Sequence, residues 1–491
     1  MAKLKLAKMN LEELNFFRFK KKGKDYLLTN DIGNYLFVSE ADFEKLIRGK
    51  IKEGRTLYKQ LAEGGFLKND LDLTKSILQY RKQSASLLSG PSLHIVVATL
   101  RCNHYCLYCQ ASSRPIGEKN CDMNLKTAKR AVDLMFQSSS QVISIEFQGG
   151  EPMANWPVVK FVVEYAQKKN KRTRKTLLLG LVTNLTLMDE QKLNFLIKNR
   201  VSICTSLDGP AEVHNANRPF PLGDSYEQTS GWIKRIKKIE RERKKTGIDI
   251  YHIAALLTVS RKSLSYSKEI INEYLKWGFE GIHLRPLSYL GAAGEVKDKI
   301  GYPIEEFIKF WCRSMDYIID INLKGKKFYE RGAFIMLKKI LRHLDPGFTE
   351  LRSPCGAVVG QMLYNYDGKI FSCDEGRMCG DNTFAVGDLA ELAKEGMTTE
   401  KYYQKIINSQ KTKTLLAAST LDNSQCDLCV YKPYCGICPV MNYMIYGNLF
   451  PAGPCNDWCK LHSEMFAYLF EKIRNKKALG VFNDWLGLKI K

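Results

Sequence analysis

Three cysteines within one short loop are the side chains best placed to do chemistry. Cys102, Cys106 and Cys109 directly follow the apolar run Leu93–Thr99, which is typical of a buried parallel strand. Three thiolates at the carboxyl end of such a strand can hold a [4Fe–4S] cluster through three of its four irons, which leaves the fourth iron open. A structural zinc site with a distant fourth ligand is the alternative.

Polar residues also follow the next three apolar runs. The second run ends in Gln148-Gly149-Gly150-Glu151-Pro152, where two glycines permit a close backbone approach and the glutamate adds a carboxylate. Amide, hydroxyl and guanidinium groups can bind the hydroxyl or carboxylate groups of a ligand, although each residue alone also fits a turn or a helix cap. The polar candidates after the third and fourth runs are Asn184, Ser206, Asp208 and Arg218.

The last third of the chain carries a second set of cysteines. They are Cys355, Cys373, Cys379, Cys426, Cys429, Cys435, Cys438, Cys455 and Cys459. Asp367-Gly368 predicts a hairpin turn that brings Cys355 and Cys373 together. The C-x2-C pairs would also suit zinc ribbons. Cys121, Cys204 and Cys312 lie outside these patterns, and we expect them to be structural.

The elements that must position these residues alternate between apolar runs and helical stretches, which indicates an α/β fold with a parallel sheet. The candidate strands are Leu93–Thr99, Val142–Gln148, Thr176–Thr183, Val201–Leu207, Ile250–Val259 and Gly281–Pro286. Functional groups of such folds gather at the carboxyl ends of the strands, which is where the cysteines and polar residues fall.

A separate small domain is predicted before the sheet. Its short strands are Asn15–Phe19, Asp25–Thr29 and Asn34–Val38, and Ser39 with Asp42 marks the start of a helix. Another helix is predicted from Thr56 to Gly64. This region is either a recognition module or a structural cap on the larger domain.

Composition limits the classes of protein. The 491 residues are 45% hydrophobic and have a net charge of +23. No apolar run reaches the ~18 residues of a membrane span, and the first residues have no signal-peptide core, so we expect a cytoplasmic protein without a membrane partner. Cysteines in that compartment are more often metal ligands than disulfides. The positive charge suits an acidic peptide, and nucleic acid is unlikely because no nucleic-acid module is recognisable.

The three-cysteine loop and the Gly-Gly-Glu-Pro turn together resemble the signature of the radical S-adenosylmethionine (SAM) enzymes. The resemblance implies a TIM-like partial (β/α)6 radical SAM barrel, in which the open iron binds the amino and carboxylate groups of SAM. Glu151 would receive the SAM ammonium, and Arg218 would pair with its carboxylate. The implied SAM-binding residues are Tyr108, Gln148, Gly149, Gly150, Glu151, Asn184, Ser206, Asp208, Arg218 and Leu287.

The later cysteines resemble the SPASM extension of radical SAM peptide maturases, which implies two auxiliary [4Fe–4S] clusters. The inner cluster would use Cys355, Cys373 and Cys438, with Cys379 as the fourth ligand or with one iron left open. The outer cluster would use Cys426, Cys429, Cys435 and either Cys455 or Cys459, of which we favour Cys459 because it directly precedes the final helix. The x2 spacing before Cys438 departs from the usual x3. Asp374 matches the aspartate proposed as the base in related sulfatase-maturing enzymes.

The resemblance covers nearly the whole chain. Residues 1–85 resemble the winged-helix-like peptide-recognition (RRE/PqqD-like) domains that bind a leader peptide, residues 86–340 the barrel and residues 341–491 the SPASM domain. Asn15–Phe19, Tyr26–Gly33 and Phe147–Pro152 resemble the His-Xaa-Ser system maturases (HxsB). The implied partners are a precursor peptide with a leader and an electron donor such as flavodoxin or ferredoxin.

The implied reaction starts with one-electron cleavage of SAM to a 5′-deoxyadenosyl radical, which abstracts hydrogen from the peptide. The product is a cross-link, a thioether or an oxidised residue. Two alternatives stay open: an anaerobic sulfatase-maturing enzyme, which forms formylglycine, and a zinc-dependent nucleic-acid-binding protein.

Overall fold

The computed structural model describes residues 12–51, 55–87, 89–246, 252–422, 424–451 and 456–488. The strands are β1 Arg18–Lys22, β2 Asp25–Thr29, β3 Tyr35–Ser39, β4 Leu93–Thr99, β5 Arg101–Cys102, β6 Arg114–Pro115, β7 Val142–Gly149, β8 Thr176–Thr183, β9 Val201–Ser206, β10 Ile253–Thr258, β11 Gly281–Ile282, β12 Leu284–Arg285, β13 Tyr329–Glu330, β14 Gln361–Tyr364, β15 Lys369–Phe371 and β16 Ala385–Asp388.

The helices are α1 Glu40–Ile47, α2 Thr56–Glu63, α3 Leu73–Gln83, α4 Leu125–Met135, α5 Trp156–Thr173, α6 Glu190–Lys198, α7 Ala211–Asn217, α8 Ser225–Lys245, α9 Ser267–Lys276, α10 Lys297–Ile300, α11 Ile304–Leu323, α12 Arg331–Arg342, α13 Asp374–Met378, α14 Thr399–Ile407, α15 Gln410–Ala418, α16 Ser424–Asp427, α17 Pro439–Tyr446, α18 Asp457–Ile473 and α19 Lys476–Leu486. Short 3-10 helices are Lys119–Cys121, Pro152–Asn155, Lys262–Ser265, Gly291–Gly294, Thr349–Leu351, Leu389–Ala393 and Lys432–Tyr434. Among the described residues, no helix combines the length and the apolar character that crossing a membrane requires.

One mixed sheet organises the molecule, in the order β12-β10-β9-β8-β7-β4-β14-β15-β16. The strands from β12 to β14 are parallel, and β15 and β16 run antiparallel to their neighbours. Strands β4 and β8 begin and end at the predicted residues. Six of the seven residues of β4 are buried, as expected when helices cover both faces of a parallel sheet. The predicted α/β class with a central parallel sheet is confirmed.

The prediction of one continuous sixth strand over Gly281–Pro286 is wrong. It is interrupted at His283, and its two halves pair with different partners: β11 with β13, and β12 with β10. Each half contributes only two residues of parallel pairing, so an apolar run alone could not show where the hydrogen bonding changes partner. The fifth strand was predicted from Ile250, and the first part of that prediction lies outside the described residues.

The hairpin predicted at Asp367-Gly368 is confirmed and extends the central sheet. Strand β14 turns into β15 with Leu363 opposite Phe371, and Gly368 has a positive φ of 94° at the turn. On its other side β14 pairs in parallel with β4 over four residues. Hydrogen bonding therefore runs without a break from the strand before Cys102 into the C-terminal third of the chain.

A three-stranded antiparallel sheet, β1-β2-β3, and helices α1 and α2 form the N-terminal part. The Ser39 side chain accepts a hydrogen bond from the Asp42 backbone, which confirms the predicted helix start. The first strand begins at Arg18 rather than Asn15, because the Asn15 backbone N–H bonds Phe66 instead of a neighbouring strand. The winged-helix assignment of this part stays a prediction.

Candidate active site

The three-cysteine loop leaves the carboxyl end of β4 and is held by backbone hydrogen bonds in its middle. The backbone N–H groups of Tyr105 and Leu107 donate to the carbonyls of Pro219 and Asn217 at 2.9 and 3.0 Å. The loop therefore packs against the end of α7 and the segment that follows it.

Each of the three sulfur atoms has a polar partner. Cys102 Sγ accepts from the His104 N–H at 3.4 Å, and Arg218 Nη1 lies 3.6 Å from Cys106 Sγ. The Cys109 thiol donates to Ser113 Oγ at 3.4 Å. Groups that donate to a sulfur favour its deprotonated form, which is the form that binds metal.

Burial dominates the ionisation of these thiols. It raises the pKa of Cys106 to about 11, and it raises the pKa of Cys102 further, with the neighbouring Cys106 and Cys109 adding to the shift. The mutual effect indicates that the three thiols are neighbours. Thiols in this state bind a metal centre with release of their protons.

Close packing explains the two glycines of the Gly-Gly-Glu-Pro turn. A Cβ on Gly150 would lie 2.3 Å from the Arg101 carbonyl oxygen, and one on Gly149 would lie 2.7 Å from the Thr99 carbonyl oxygen. The Gly150 N–H donates to that Thr99 carbonyl at 3.0 Å, and Glu151 N–H donates to Arg101 at 2.7 Å. The glycines therefore let this turn approach the strand that carries Cys102.

The carboxylate of Glu151 is buried and already has three donors from the chain. Oε1 accepts from Thr183 Oγ1 at 2.8 Å and from the Met153 N–H at 3.1 Å, and Oε2 accepts from the Asn184 N–H at 2.8 Å. Burial raises its pKa, and these donors oppose the rise. Its first role is to join the turn after β7 to the end of β8.

Asn184 lies where it was predicted, beside the cysteine loop. Its side-chain amide donates to Asn103 Oδ1 at 2.9 Å and lies 2.9 Å from His104 Nδ1 and 3.9 Å from Cys102 Sγ. Burial lowers the pKa of His104 to about 3, so this imidazole is neutral. The amide therefore supports the loop on the side opposite Arg218.

Tyr108, Asp208 and Arg218 form one buried group. The Tyr108 hydroxyl donates to Asp208 Oδ2, which also lies 3.1 Å from Arg218 Nε. The guanidinium lies over the Tyr108 ring at 5.3 Å. Tyr108 therefore links the loop to Asp208, and Arg218 uses one edge of its guanidinium for the same carboxylate.

Three further predicted residues lie at the same carboxyl edge of the sheet. Ser206 is the last residue of β9, and Gln148 donates through its side chain to Glu146. The Leu287 N–H follows β12 and donates to Tyr302 Oη at 2.8 Å. The edge therefore gathers the residues predicted after β4, β7, β8, β9 and β12.

Asp374 starts α13 and is largely buried. Burial raises its pKa to about 6, and Arg377 opposes this rise. Its Oδ1 lies 3.7 Å from Arg377 Nε and has no hydrogen-bond partner in the described part of the chain. Arg377 Nη1 donates to the Ala111 carbonyl at 3.2 Å, which connects this helix to the cysteine loop.

Sequence reasoning missed one charged group near Asp374, the carboxylate of Glu146. Glu146 lies two residues before Gln148 on β7 and therefore points to the same face of the sheet. Burial raises the pKa of Glu146, with Asp374 adding to the rise and Arg285 opposing it. The period of two along β7 is the signal that could have identified Glu146.

A second group of thiols lines a small cavity in the C-terminal third of the chain. Cys355, Cys373 and Cys438 line it together, as the predicted inner cluster requires, and the acidic residues Glu350 and Glu375 line it as well. Burial raises the pKa of Cys373, and Glu375, Cys438 and Cys355 add to the rise. Cys379, the predicted fourth ligand, does not line the cavity.

The remaining cysteines of the C-terminal third form a third group. Burial raises the pKa of Cys435 to about 12, and the nearby thiols Cys429 and Cys426 add to the shift. Cys459 lies in the first turn of α18, which begins at Asp457 and is followed by α19, so the prediction that Cys459 directly precedes the final helix is wrong. Cys455 lies outside the described residues, and the choice of Cys459 as a ligand stays a prediction.

Within the ranges that the structure describes, no three Cys, His, Asp or Glu side chains are close enough to hold a single metal ion. A zinc site places its sulfurs ~2.3 Å from one ion.

The N-terminal part packs directly on the loop that carries Cys426–Cys435. Tyr434 donates through its hydroxyl to the Gly33 carbonyl at 2.9 Å, and Thr29 Oγ1 donates to the Val430 carbonyl at 2.7 Å. Both contacts are buried. The small sheet therefore adjoins the third thiol group.

Comparisons with known proteins agree with this arrangement. Residues 96–253 match the family model of the Radical SAM superfamily. The cysteine-type anaerobic sulfatase-maturating enzyme of Clostridium perfringens (strain ATCC 13124) is 24% identical over 398 residues, which are 78% of this chain and 97% of that enzyme.

Two solved structures share the fold. One is anSMEcpe with bound AdoMet and Kp18Cys peptide, with a TM-score of 0.62, 20% identity and coverage of 80% of this chain and 100% of that one. The other is Streptococcus suis SuiB bound to precursor peptide SuiA, with a TM-score of 0.50, 16% identity and coverage of 90% and 99%. Residues 96–253 are therefore similar to the radical SAM superfamily, and the chain is an enzyme of the radical SAM type.

Proposed function

We propose that this enzyme is a maturase that modifies a ribosomally made peptide by abstracting hydrogen from one of its residues. The product would be a cross-link, a thioether or an oxidised residue. The observation that carries the proposal is the loop of three neighbouring thiols at the end of β4, beside polar groups from four other strands.

Cys102, Cys106 and Cys109 would hold a [4Fe–4S] cluster. This role is supported by their origin in one loop and by His104 N–H and Arg218, which direct hydrogen-bond donors at two of the sulfurs. When bound, the cluster and SAM supply a one-electron cleavage that releases methionine and generates the radical that abstracts hydrogen.

The groups around the loop would bind SAM. The edge formed by Gly149–Glu151, Asn184 and Ser206 offers backbone groups, an amide and a hydroxyl, and the Leu287 backbone would lie near the adenine. Because Arg218 already pairs with Asp208 and faces Cys106, we assign it first to holding the loop. Only the rest of its guanidinium would be available for the SAM carboxylate.

Asp374 would take a proton from the substrate residue. Its pKa of about 6 places it near the working range of a general base at neutral pH. The role is supported by an Oδ1 that has no hydrogen-bond partner among the described residues, and by its ion-pair partner Arg377, which also contacts Ala111 after the cysteine loop. The three thiols of that cavity and the third group would hold two auxiliary clusters, the inner of which would accept the electron that the substrate loses.

A peptide substrate is supported by two neighbours that were crystallised with peptides. In this chain residues 1–85 would bind the leader of a precursor peptide, residues 86–340 would form the barrel, and residues 341–491 would form the SPASM domain. We also propose that the chain belongs to the maturases of the His-Xaa-Ser system (HxsB). The electron would come from a flavodoxin or ferredoxin.

A second candidate is an anaerobic sulfatase-maturing enzyme. The observation that favours it is the match to the Clostridium perfringens enzyme over 78% of this chain. The two candidates differ in the need for the N-terminal part, which a sulfatase maturase acting on a Cys or Ser would not require.

The test is formation of 5′-deoxyadenosine by anaerobically reconstituted protein with SAM and dithionite. Replacing Cys102, Cys106 and Cys109 by alanine should abolish it, whereas Cys312→Ala, which lies in α11, should not. Formation at the parent rate by the triple variant, or a colourless parent protein that contains zinc, would refute the proposal. A precursor peptide with its leader should be modified under the main proposal, whereas a short peptide without a leader should yield formylglycine at its Cys or Ser in the alternative.

A further inference from the structure

We propose that Glu375, and not Cys379, is the fourth protein ligand of the metal cluster in the inner cavity. This inference rests on the proposed function, which assigns an auxiliary cluster to that cavity. It predicts a ligand set of three thiolates and one carboxylate oxygen.

Position along α13 separates the two candidates. Cys373 caps the start of this helix, Glu375 is its second residue, and Cys379 caps its end. Six residues of helix span about 9 Å at 1.5 Å per residue, so the two cysteines lie at opposite ends. The Cys379 thiol instead donates to the Glu375 carbonyl at 3.7 Å.

The lining of the cavity agrees with this separation. Glu375 lines it together with Cys355, Cys373 and Cys438, whereas Cys379 does not. The charge of Glu375 acts on all four thiols, so the lining of the cavity is what separates the two candidates.

Glu375 shares the cavity with a second carboxylate, Glu350. Two carboxylates buried side by side are unfavourable unless a cation is close to them. Glu375 would therefore hold the corner of the cluster that the three thiols leave free.

The test uses the full chain with Cys102, Cys106 and Cys109 replaced by alanine, so that the first cluster does not contribute. Iron per chain, Mössbauer spectra and the electron paramagnetic resonance of a three-iron cluster are then measured after anaerobic reconstitution. Removing one ligand of a four-iron cluster should cost about one iron and produce the three-iron form.

We expect this loss in Glu375→Ala and Glu375→Gln, where the second variant keeps the size of the side chain. Glu375→Cys should restore the fourth iron. Glu350→Gln and Cys379→Ser are the matched controls and should retain it.

Two results would overturn the inference while leaving the proposed function intact: loss of the iron in Cys379→Ser, or retention of it in every variant. A parent protein that binds no iron–sulfur cluster at all would overturn both. Circular dichroism of each variant shows whether a loss of iron reflects loss of folding.

Discussion

Gly150→Ala should damage the active site through packing alone. The added Cβ would lie 2.3 Å from the Arg101 carbonyl oxygen and 2.5 Å from the Leu100 carbonyl oxygen. Both neighbours are backbone atoms of the segment that carries Cys102, so neither can rotate away. Overpacking of this kind usually destabilises by about 1–3 kcal/mol, and we expect the upper end of that range because two backbone atoms are displaced.

Thermal unfolding of the metal-free protein measures this effect without any contribution from iron. A loss of ~3 kcal/mol should lower the melting temperature of the barrel by about 5 °C or more. After reconstitution, the variant should also bind less iron at the cysteine loop, because the strand and the Gly-Gly turn have moved apart.

Gly231→Ala is the matched control, since Gly231 is exposed in α8 and an added Cβ would meet nothing within 4 Å. This change should stabilise the helix by up to ~1 kcal/mol. The packing argument fails if Gly150→Ala melts with the parent and binds as much iron. It also fails if both glycine variants lose stability equally.

Two further predictions follow from Asp374 and from the N-terminal contact. Asp374→Asn should keep 5′-deoxyadenosine formation and lower the peptide product about 100-fold, as expected for loss of a general base. In the parent, product formation should rise with pH through about 6, because only the ionised carboxylate accepts a proton, and a flat profile would exclude this role. Tyr434→Phe leaves the buried Gly33 carbonyl without its donor and should lower the stability of the docked N-terminal part by about 1 kcal/mol, measured by hydrogen exchange. Unchanged exchange in residues 12–51 would contradict it.

The sequence was most informative for residues that combine a reactive or polar side chain with a position at the end of a strand. Apolar runs bounded by polar residues predict both ends of β4 and β8, and a parallel sheet then brings Cys102 and Asn184 to one edge. Long-range pairing was not predictable: β14 adds to the sheet beside β4, although more than 250 residues separate them. That neighbour is selected by tertiary packing rather than by local pattern.

The roles of individual polar groups were harder to predict than their positions. Glu151 was expected to face the ligand, yet its oxygens accept three hydrogen bonds from the chain itself. Cys379 fits the number of cysteines that two clusters need, but it does not line the cavity. Glu375 lines the cavity instead. Spacing in the sequence can identify which side chains are functional candidates. It cannot predict their hydrogen-bond partners, because folding brings those partners together from distant parts of the chain.

The continuity of the central sheet limits how this enzyme can be divided. A fragment ending near residue 340 would remove β14 and leave the backbone N–H and C=O groups along one side of β4 without partners. An unprotected apolar edge of this kind recruits other chains and promotes aggregation. The barrel and the C-terminal region should therefore be expressed, crystallised and evolved as one folding unit.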